Sequence, residues 1–318
     1  MKKISIVTPM YNEAPMVHLF IATLDGILSK ISGYEYEIVC INDGSKDNTL
    51  DLLKEEQKNN KHLVIVDLSR NWGQESAIRA GLLNATGDAI VPMDADLQDP
   101  PELLPEMITK WEEGYEVVNA RRVSRKKDTA FKRNSAGLYY RILDKLSPKV
   151  KIPQNVNNFR LLDKKVVDII NELPETNRVL RIEIPFVGFK ICEVEFVRQK
   201  RAKGQSHYPL KAMINLATSS LTSLSTKPLG WSLPISVVIG IIFLLSGIGE
   251  LVLFILQMCN VYHFLSEIGY WGWLIINVIL LLGFMMGIMI TVISLYTAKV
   301  VEESQRRPSV IIREVIRK

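Results

Sequence analysis

Apolar and polar positions change rhythm twice along this chain. As far as Ala120, short apolar runs alternate with amphipathic stretches, and Ile4–Thr8, Glu37–Asn42, Leu63–Leu68, Ala89–Met93 and Val117–Ala120 have the length and residue types of strands. Helical periodicity fills the gaps between them. Strand, helix, strand at this spacing predicts right-handed crossovers and an α/β domain whose mostly parallel sheet carries helices on both faces. From Arg121 to Arg133 the chain turns basic and polar and reads as a loop; a helical stretch near Ala136–Leu146, the segment Asn157–Asp168 and an apolar run Ile184–Val197 follow. Pro209–Leu224 has a helical period with modest hydrophobicity, which suits a helix lying along a membrane surface before Pro228 turns the chain. The last change of rhythm is abrupt. Leu233–Gln257 holds a single charge, Glu250, and Tyr270–Ala298 holds none, so each run exceeds the roughly 20 residues that cross a bilayer.

Charge orients these two spans. The connector Met258–Gly269 has no Lys or Arg, whereas Lys211 and Lys227 precede the first span and Lys299, Arg306, Arg307, Arg313, Arg317 and Lys318 follow the second. The positive-inside rule then puts both outer flanks, and both termini, in the cytoplasm. Four segments follow: a catalytic domain over 1–208, juxtamembrane amphipathic helices over 209–230, two transmembrane helices with a short external connector over 231–298, and a basic tail over 299–318. Composition adds less. At 318 residues, 47% hydrophobic and 23% charged, the chain is too long for a disulfide-stapled miniprotein and too apolar for a disordered one. A net charge of +5 fits anionic lipid or phosphate and does not choose between them. Cys40, Cys192 and Cys259 are far apart and lack metal-ligand spacing, as in a reducing compartment.

In a sheet of this kind ligands bind at the carboxyl ends of the strands. Those ends carry Pro9-Met10-Tyr11-Asn12-Glu13, Asn42-Asp43-Gly44-Ser45, Ser69-Arg70-Asn71 and Asp94-Ala95-Asp96-Leu97-Gln98. Two carboxylates two apart face opposite ways on a strand, but a turn at the strand end brings both toward one hard cation. As a bare pattern, two acids flanking an alanine are commonplace on surfaces. Asp43 and Glu13, ending or following other strands of the same sheet, give the pair a context: acceptors for a base and ribose, and a metal for a diphosphate.

These segments, together with Asp47 to Thr49, Arg70-Asn71-Trp72-Gly73, Ala80-Gly81, Ala85-Thr86-Gly87-Asp88 and Asp94 to Pro100, resemble the ordered signature of family-2 glycosyltransferases. Within that family the chain is similar to the polyprenyl-phosphate glycosyltransferases, dolichyl-phosphate mannose synthase and, more closely, the bactoprenol glucosyltransferases of the GtrB type. The similarity continues through Asn158-Phe159-Arg160-Leu161-Leu162, Asn177-Arg178, Val187-Gly188-Phe189 and Arg201 to Leu210 into the two spans. The resemblance implies a GT-A catalytic domain that transfers one sugar, glucose from UDP-glucose by first choice, to undecaprenyl phosphate. Transfer inverts the anomeric carbon, takes place at the cytoplasmic face of the plasma membrane and serves cell-envelope glycan modification. A flippase and a second glycosyltransferase would act downstream; homo-oligomerisation stays open, and no nucleic-acid partner is implied.

On the matching positions, the resemblance gives nucleotide contacts to Pro9, Tyr11, Glu13, Asp43, Asn71, Asp94, Ala95 and Arg121, and a Mg²⁺ or Mn²⁺ site to Asp94, Asp96 and Gln98. The catalytic set is Asp96, Asn158, Arg160 and Arg201, with Arg121, Arg160 and Arg201 facing the acceptor and the diphosphate. A phosphate acceptor, with its second pKa near about 6, is mostly dianionic at neutrality and attacks without a strong base. One position departs from the pattern: relatives usually carry Asp where this chain has Asn158, in a place read as base or acceptor-orienting group. His207 likewise stands where relatives often have Lys. Two other readings remain open. A processive polysaccharide synthase lacks support from any Gln-x-x-Arg-Trp segment, and a noncatalytic nucleotide-sugar scaffold, which Asn158 would suit, is opposed by the retention of Asp94, Asp96 and Gln98.

Overall fold

The computed structural model describes residues 1–123, 153, 155–173, 179–197 and 267–318, and the helical positions 237–242, 244–245, 248–249, 252 and 255. Strand period organises the first unit. Ile4 and Ile6 of β1 (Lys2–Met10), Ile38 and Cys40 of β2 (Tyr34–Asn42), Ile65 of β3 (Leu63–Leu68) and Val91 of β4 (Ala89–Pro92) face one core. Their neighbours Val7, Val39, Ile41, Val66 and Ile90 face a second core on the other side. Helices α1 (Val17–Leu28), α2 (Thr49–Asn59) and α4 (Leu104–Glu112) close the first layer through Phe20, Leu24, Leu53 and Met107. Helices α3 (Gln74–Asn84), α5 (Lys164–Glu172) and α6 (Leu180–Val187) close the second through Ala77, Ile78, Val166, Val167 and Ile184. Gly81 lets α3 press on the sheet, because a Cβ there would overlap the Val7 and Ile41 side chains.

The eight strands run in the order β7-β5-β6-β4-β1-β2-β3-β8. β1 pairs in parallel with β2 and β4, β2 with β3, and β5 (Val117–Arg122) with β7 (Ile191–Phe196), as the crossover spacing leads one to expect. Two insertions depart from a purely parallel sheet. β6 (Val156–Asp163) runs antiparallel between β4 and β5 and separates them. β8 (Ile312–Ile316), inside the stretch expected to be a basic tail, adds antiparallel to β3. The apolar run Ile184–Val197 divides into the end of α6, a left-handed Gly188 at φ 74° and β7.

The chain forms two compact units, Met1–Ser220 with Arg306–Lys318, and Leu221–Gln305. The second contains α7 (Glu267–Ser304), whose 38 residues extend about 57 Å. Among the described residues one stretch is long and apolar enough to cross a membrane, Leu281–Ser304, with mean hydropathy 2.0 and none of it buried. Most of the other expected span falls outside the described residues. So do Ala136–Leu146, Pro209–Leu224 and the basic stretch beyond Val123.

Candidate active site

The carboxyl ends of β1, β2, β3 and β4 meet at one edge, and the loops leaving them enclose a cavity of about 300 Å³. It brings together Pro9, Tyr11, Glu13, Asp43, Asn71, Asp94, Ala95 and Asp96, eight residues scattered over the first third of the sequence. Met10, Gly73 and Gln74 complete the lining. Tyr11, 41% exposed, offers a ring face at which a base can stack.

Polar residues tie each loop to its neighbour. Asn12 adopts the left-handed conformation, φ 54°, with its N–H donating to Ser45 Oγ at 3.0 Å and its Oδ1 accepting from Lys46 N at 2.8 Å. Glu13 N donates to Thr49 Oγ1 at 3.0 Å. Gly44, at φ 63°, allows the Asp43 loop to lie on the backbone of Arg70 and Asn71, where a side chain would collide. Asp43 then accepts from Trp72 N at 2.7 Å and Gly73 N at 3.0 Å, so the start of α3 is clamped to the end of β2. Burial pushes the Asp43 carboxyl up, against the pull of those two amides and the Arg70 guanidinium.

The acidic turn has the form that the strand-end argument asks for. Leu97 is a non-glycine residue at φ 52°, a strained conformation of the kind that collects at functional turns. It lets Gln98 N donate to Asp96 Oδ1 at 3.1 Å, and Ala95 and Asp96 stay buried at 4% and 6%. Asp94 Oδ1 accepts from Gln74 Nε2 at 2.7 Å. No group of three or more His, Cys, Asp and Glu side chains placed to hold a metal ion occurs among the described residues. Two carboxylates from one turn nevertheless fit Mg²⁺ or Mn²⁺, which takes one or two carboxylates and fills its shell with water and substrate phosphate. Gln98 is partly exposed and outside the cavity lining.

Two of the expected basic residues, Arg121 and Arg160, are not in the cavity lining. Arg121, at the end of β5, pairs with Glu193 at 3.0 Å and with Glu195, both on β7, and is not part of the cavity. Arg160 on β6 is completely buried rather than open to a ligand, and its Nη2 donates to Asn157 O. Burial and the neighbouring Arg181 charge pull its guanidinium down to about 9, against the attraction of Glu75. Asn158 is partly exposed beside it. Arg201 lies outside the described residues.

Sequence reasoning missed Gln74 and Glu75. Glu75, in the first turn of α3, accepts from Leu180 N at 3.3 Å, with Arg181, Arg160 and Asn158 close by. Burial raises its carboxyl against all of those groups. The signal was present, since a Gln-Glu pair opens α3 just behind the Asp43-clamped loop, but nothing local tied it to Asp94 or Asn158.

Comparison with known proteins agrees with this arrangement. Residues 5–170 match the family described as Glycosyl transferase family 2. The chain is 40% identical to an uncharacterized glycosyltransferase, YkcC of Bacillus subtilis (strain 168), over 98% of its own length and 93% of that protein. It is 36% identical to the bactoprenol glucosyl transferase of Shigella phage SfV over 98% of both chains. Among solved structures, glucosyl-3-phosphoglycerate synthase from Mycobacterium tuberculosis, in complex with Mn²⁺, UDP and glucosyl-3-phosphoglycerate, has the same GT-A type fold. Its TM-score is 0.51 at 18% identity, covering 70% of this chain and 78% of that one. The chain belongs to glycosyl transferase family 2 and is a glycosyltransferase.

Proposed function

We propose that this family 2 glycosyltransferase transfers a single glucose from UDP-glucose to undecaprenyl phosphate, with inversion, at the cytoplasmic face of the membrane in which its C-terminal helices are anchored. The observation that carries the reading is the cavity at the sheet edge, where Tyr11, Glu13 and Asp43 meet the Asp94 and Asp96 carboxylates. Its size and polar lining suit the nucleoside end of a nucleotide sugar. The glucosyl and bactoprenol specificities are those named for the Shigella phage relative.

Asp94 and Asp96, with Gln98 at the end of the same turn, would hold Mg²⁺ or Mn²⁺. A divalent cation there stabilises the charge that builds on the leaving nucleoside diphosphate. Gln74 keeps Asp94 in place, and the Asp43 clamp fixes the loop that carries Asn71. The dianionic acceptor supplies its own nucleophile, so the chain must orient it and exclude water. Asn158 would orient it, Arg160 supports that position from within the sheet, and Arg121 and Arg201 would supply charge for the phosphates.

The test is transfer by the purified full-length chain in lipid nanodiscs, offered undecaprenyl phosphate and a panel of nucleotide sugars with Mg²⁺ or Mn²⁺. Glucose transfer from UDP-glucose is expected, with chelator silencing it and Asp96→Ala lowering turnover by about a hundredfold or more while folding and insertion persist. Transfer of another sugar would replace the donor assignment. Full activity in chelator would remove the metal role, and absence of transfer with every donor would overturn the enzymatic reading.

A further inference from the structure

The two carboxylates of the acidic turn are held by different means. Asp96 is 6% exposed and accepts from Gln98 N at 3.1 Å, a bond made inside its own turn. Asp94 is half-buried, and its Oδ1 accepts from Gln74 Nε2 at 2.7 Å, a bond that comes across from another element. Gln74 is the first residue of α3, and the two residues before it are those whose amides bind Asp43, Trp72 N at 2.7 Å to Oδ1 and Gly73 N at 3.0 Å to Oδ2. Asp43 is itself 3% exposed at the end of β2. A short run of contacts therefore leads from Asp43 through the start of α3 to Asp94, and all three side chains belong to the lining of the one cavity.

Metal chemistry gives that contact a purpose. A carboxylate that ligates a cation is oriented by partners outside the coordination shell, and loss of such a partner typically costs about 10–100-fold in metal affinity. An amide NH₂ suits this part, since it donates to the carboxylate and brings no charge to compete with the cation. We propose that Gln74 is a positioning residue that presents Asp94 to the divalent cation, with the Asp43 clamp as the fixed point from which it does so. The clamp matters because Gln74 is exposed: a side chain open to solvent orients a neighbour well when its own backbone is held. The inference rests on the metal role proposed above. It gives Gln74 an effect on metal affinity that is separate from recognition of the nucleotide.

Two substitutions separate the hydrogen bond from bulk. Gln74→Ala removes the side chain at a helical position where alanine is favourable, and Gln74→Met keeps the length while removing the donor. The measurement is Mn²⁺ binding to purified full-length protein in nanodiscs of zwitterionic lipid saturated with UDP, read from the free Mn²⁺ signal in electron paramagnetic resonance. Both variants are expected to weaken Mn²⁺ binding by about tenfold. UDP affinity in chelator, by calorimetry, should stay within about twofold of wild type, and kcat for transfer should return to within about twofold once Mn²⁺ is saturating. Wild-type Mn²⁺ affinity in either variant overturns the proposal, because the hydrogen bond would then not be what Gln74 supplies. A comparable loss of UDP affinity in chelator would make Gln74 a nucleotide contact, and a kcat that stays low in saturating Mn²⁺ would make it a contact of the reacting groups. Each of these overturns the positioning role and leaves the transferase reading standing. A wild type that binds UDP and no Mn²⁺ overturns both this inference and the metal role on which it rests.

Discussion

Glu37 is a carboxylate inside a sheet, a position that only a full set of partners makes tolerable. It is 3% exposed and accepts from Lys3 Nζ at 2.8 Å, Ser5 Oγ at 2.6 Å and Thr86 N at 2.7 Å. Burial by itself would raise its pKa; Lys3, Ser5 and Thr86 together outweigh burial and hold the carboxyl below its ordinary value. The sign of the pH effect follows. A carboxyl depressed by folding contributes stability above its unfolded pKa of about 4.3 and loses it as pH falls through the lower folded value. Glu37→Gln is expected to cost about 1–3 kcal/mol at pH 7 and to flatten that acid limb, read from denaturant unfolding of the full-length chain in detergent across pH 3–7. An unchanged midpoint and an unchanged acid limb would contradict this account. At this scale the sequence was legible where chemistry is local. Pro9, Tyr11, Asp43, Asp94 and Asp96 follow strands in order and meet as the pattern implies. The surroundings of Arg121, which come from β7, and the complete burial of Arg160 are features that no spacing announces.

Among the elements, the strands of the parallel half were readable because each is an apolar run bounded by turn residues. β6 and β8 were not, since their places depend on partners far away in sequence. β8 is short, half polar and hidden behind a long apolar helix, so it reads as a tail. Its attachment is specific: Gln57 Nε2 donates to Ile316 O at 2.8 Å, and Arg313 donates to Asp67 Oδ2 at 3.1 Å and Ser69 O at 2.9 Å. Asp67 is 3% exposed on its side chain and also accepts from Asn42 Nδ2 at 2.7 Å, one residue before Asp43. Ser69 Oγ accepts from Trp72 Nε1 at 3.1 Å, beside the amide that binds Asp43. Two short paths thus run from Arg313 to the clamp that shapes the donor cavity. Arg313→Ala should weaken UDP binding about three- to tenfold, the worth of one ordinary hydrogen bond felt through the clamp, in calorimetry on the full-length protein. Arg313→Lys should recover part of it, and unaltered affinity in Arg313→Ala would show that the strand only caps the edge of β3.

At the scale of the whole molecule, β8 constrains how the chain meets a membrane. It pairs with β3, so the segment after α7 ends on the same side of any bilayer as the strands before it. One crossing by α7 would leave β8 on the far side, out of reach of its partner. An even number of crossings between Val197 and β8 is therefore expected, and if α7 makes one, the sequence offers the apolar run Leu233–Gln257 as the candidate for the other. Lipid is the natural cover for α7, where Ile279, Phe284 and Met286 are 60%, 67% and 61% exposed. The cysteines test this. Cys259 belongs to the connector, Cys192 on β7 is partly exposed, and Cys40 is buried, so Cys192 is the proper internal control. In intact cells carrying single-cysteine variants, a membrane-impermeant maleimide should label Cys259 at once and Cys192 only after permeabilisation. Labelling of both only after permeabilisation would mean that neither run crosses. Early labelling of Cys192 would put the sheet outside, away from cytoplasmic UDP-glucose, and the donor assignment would fall with the topology.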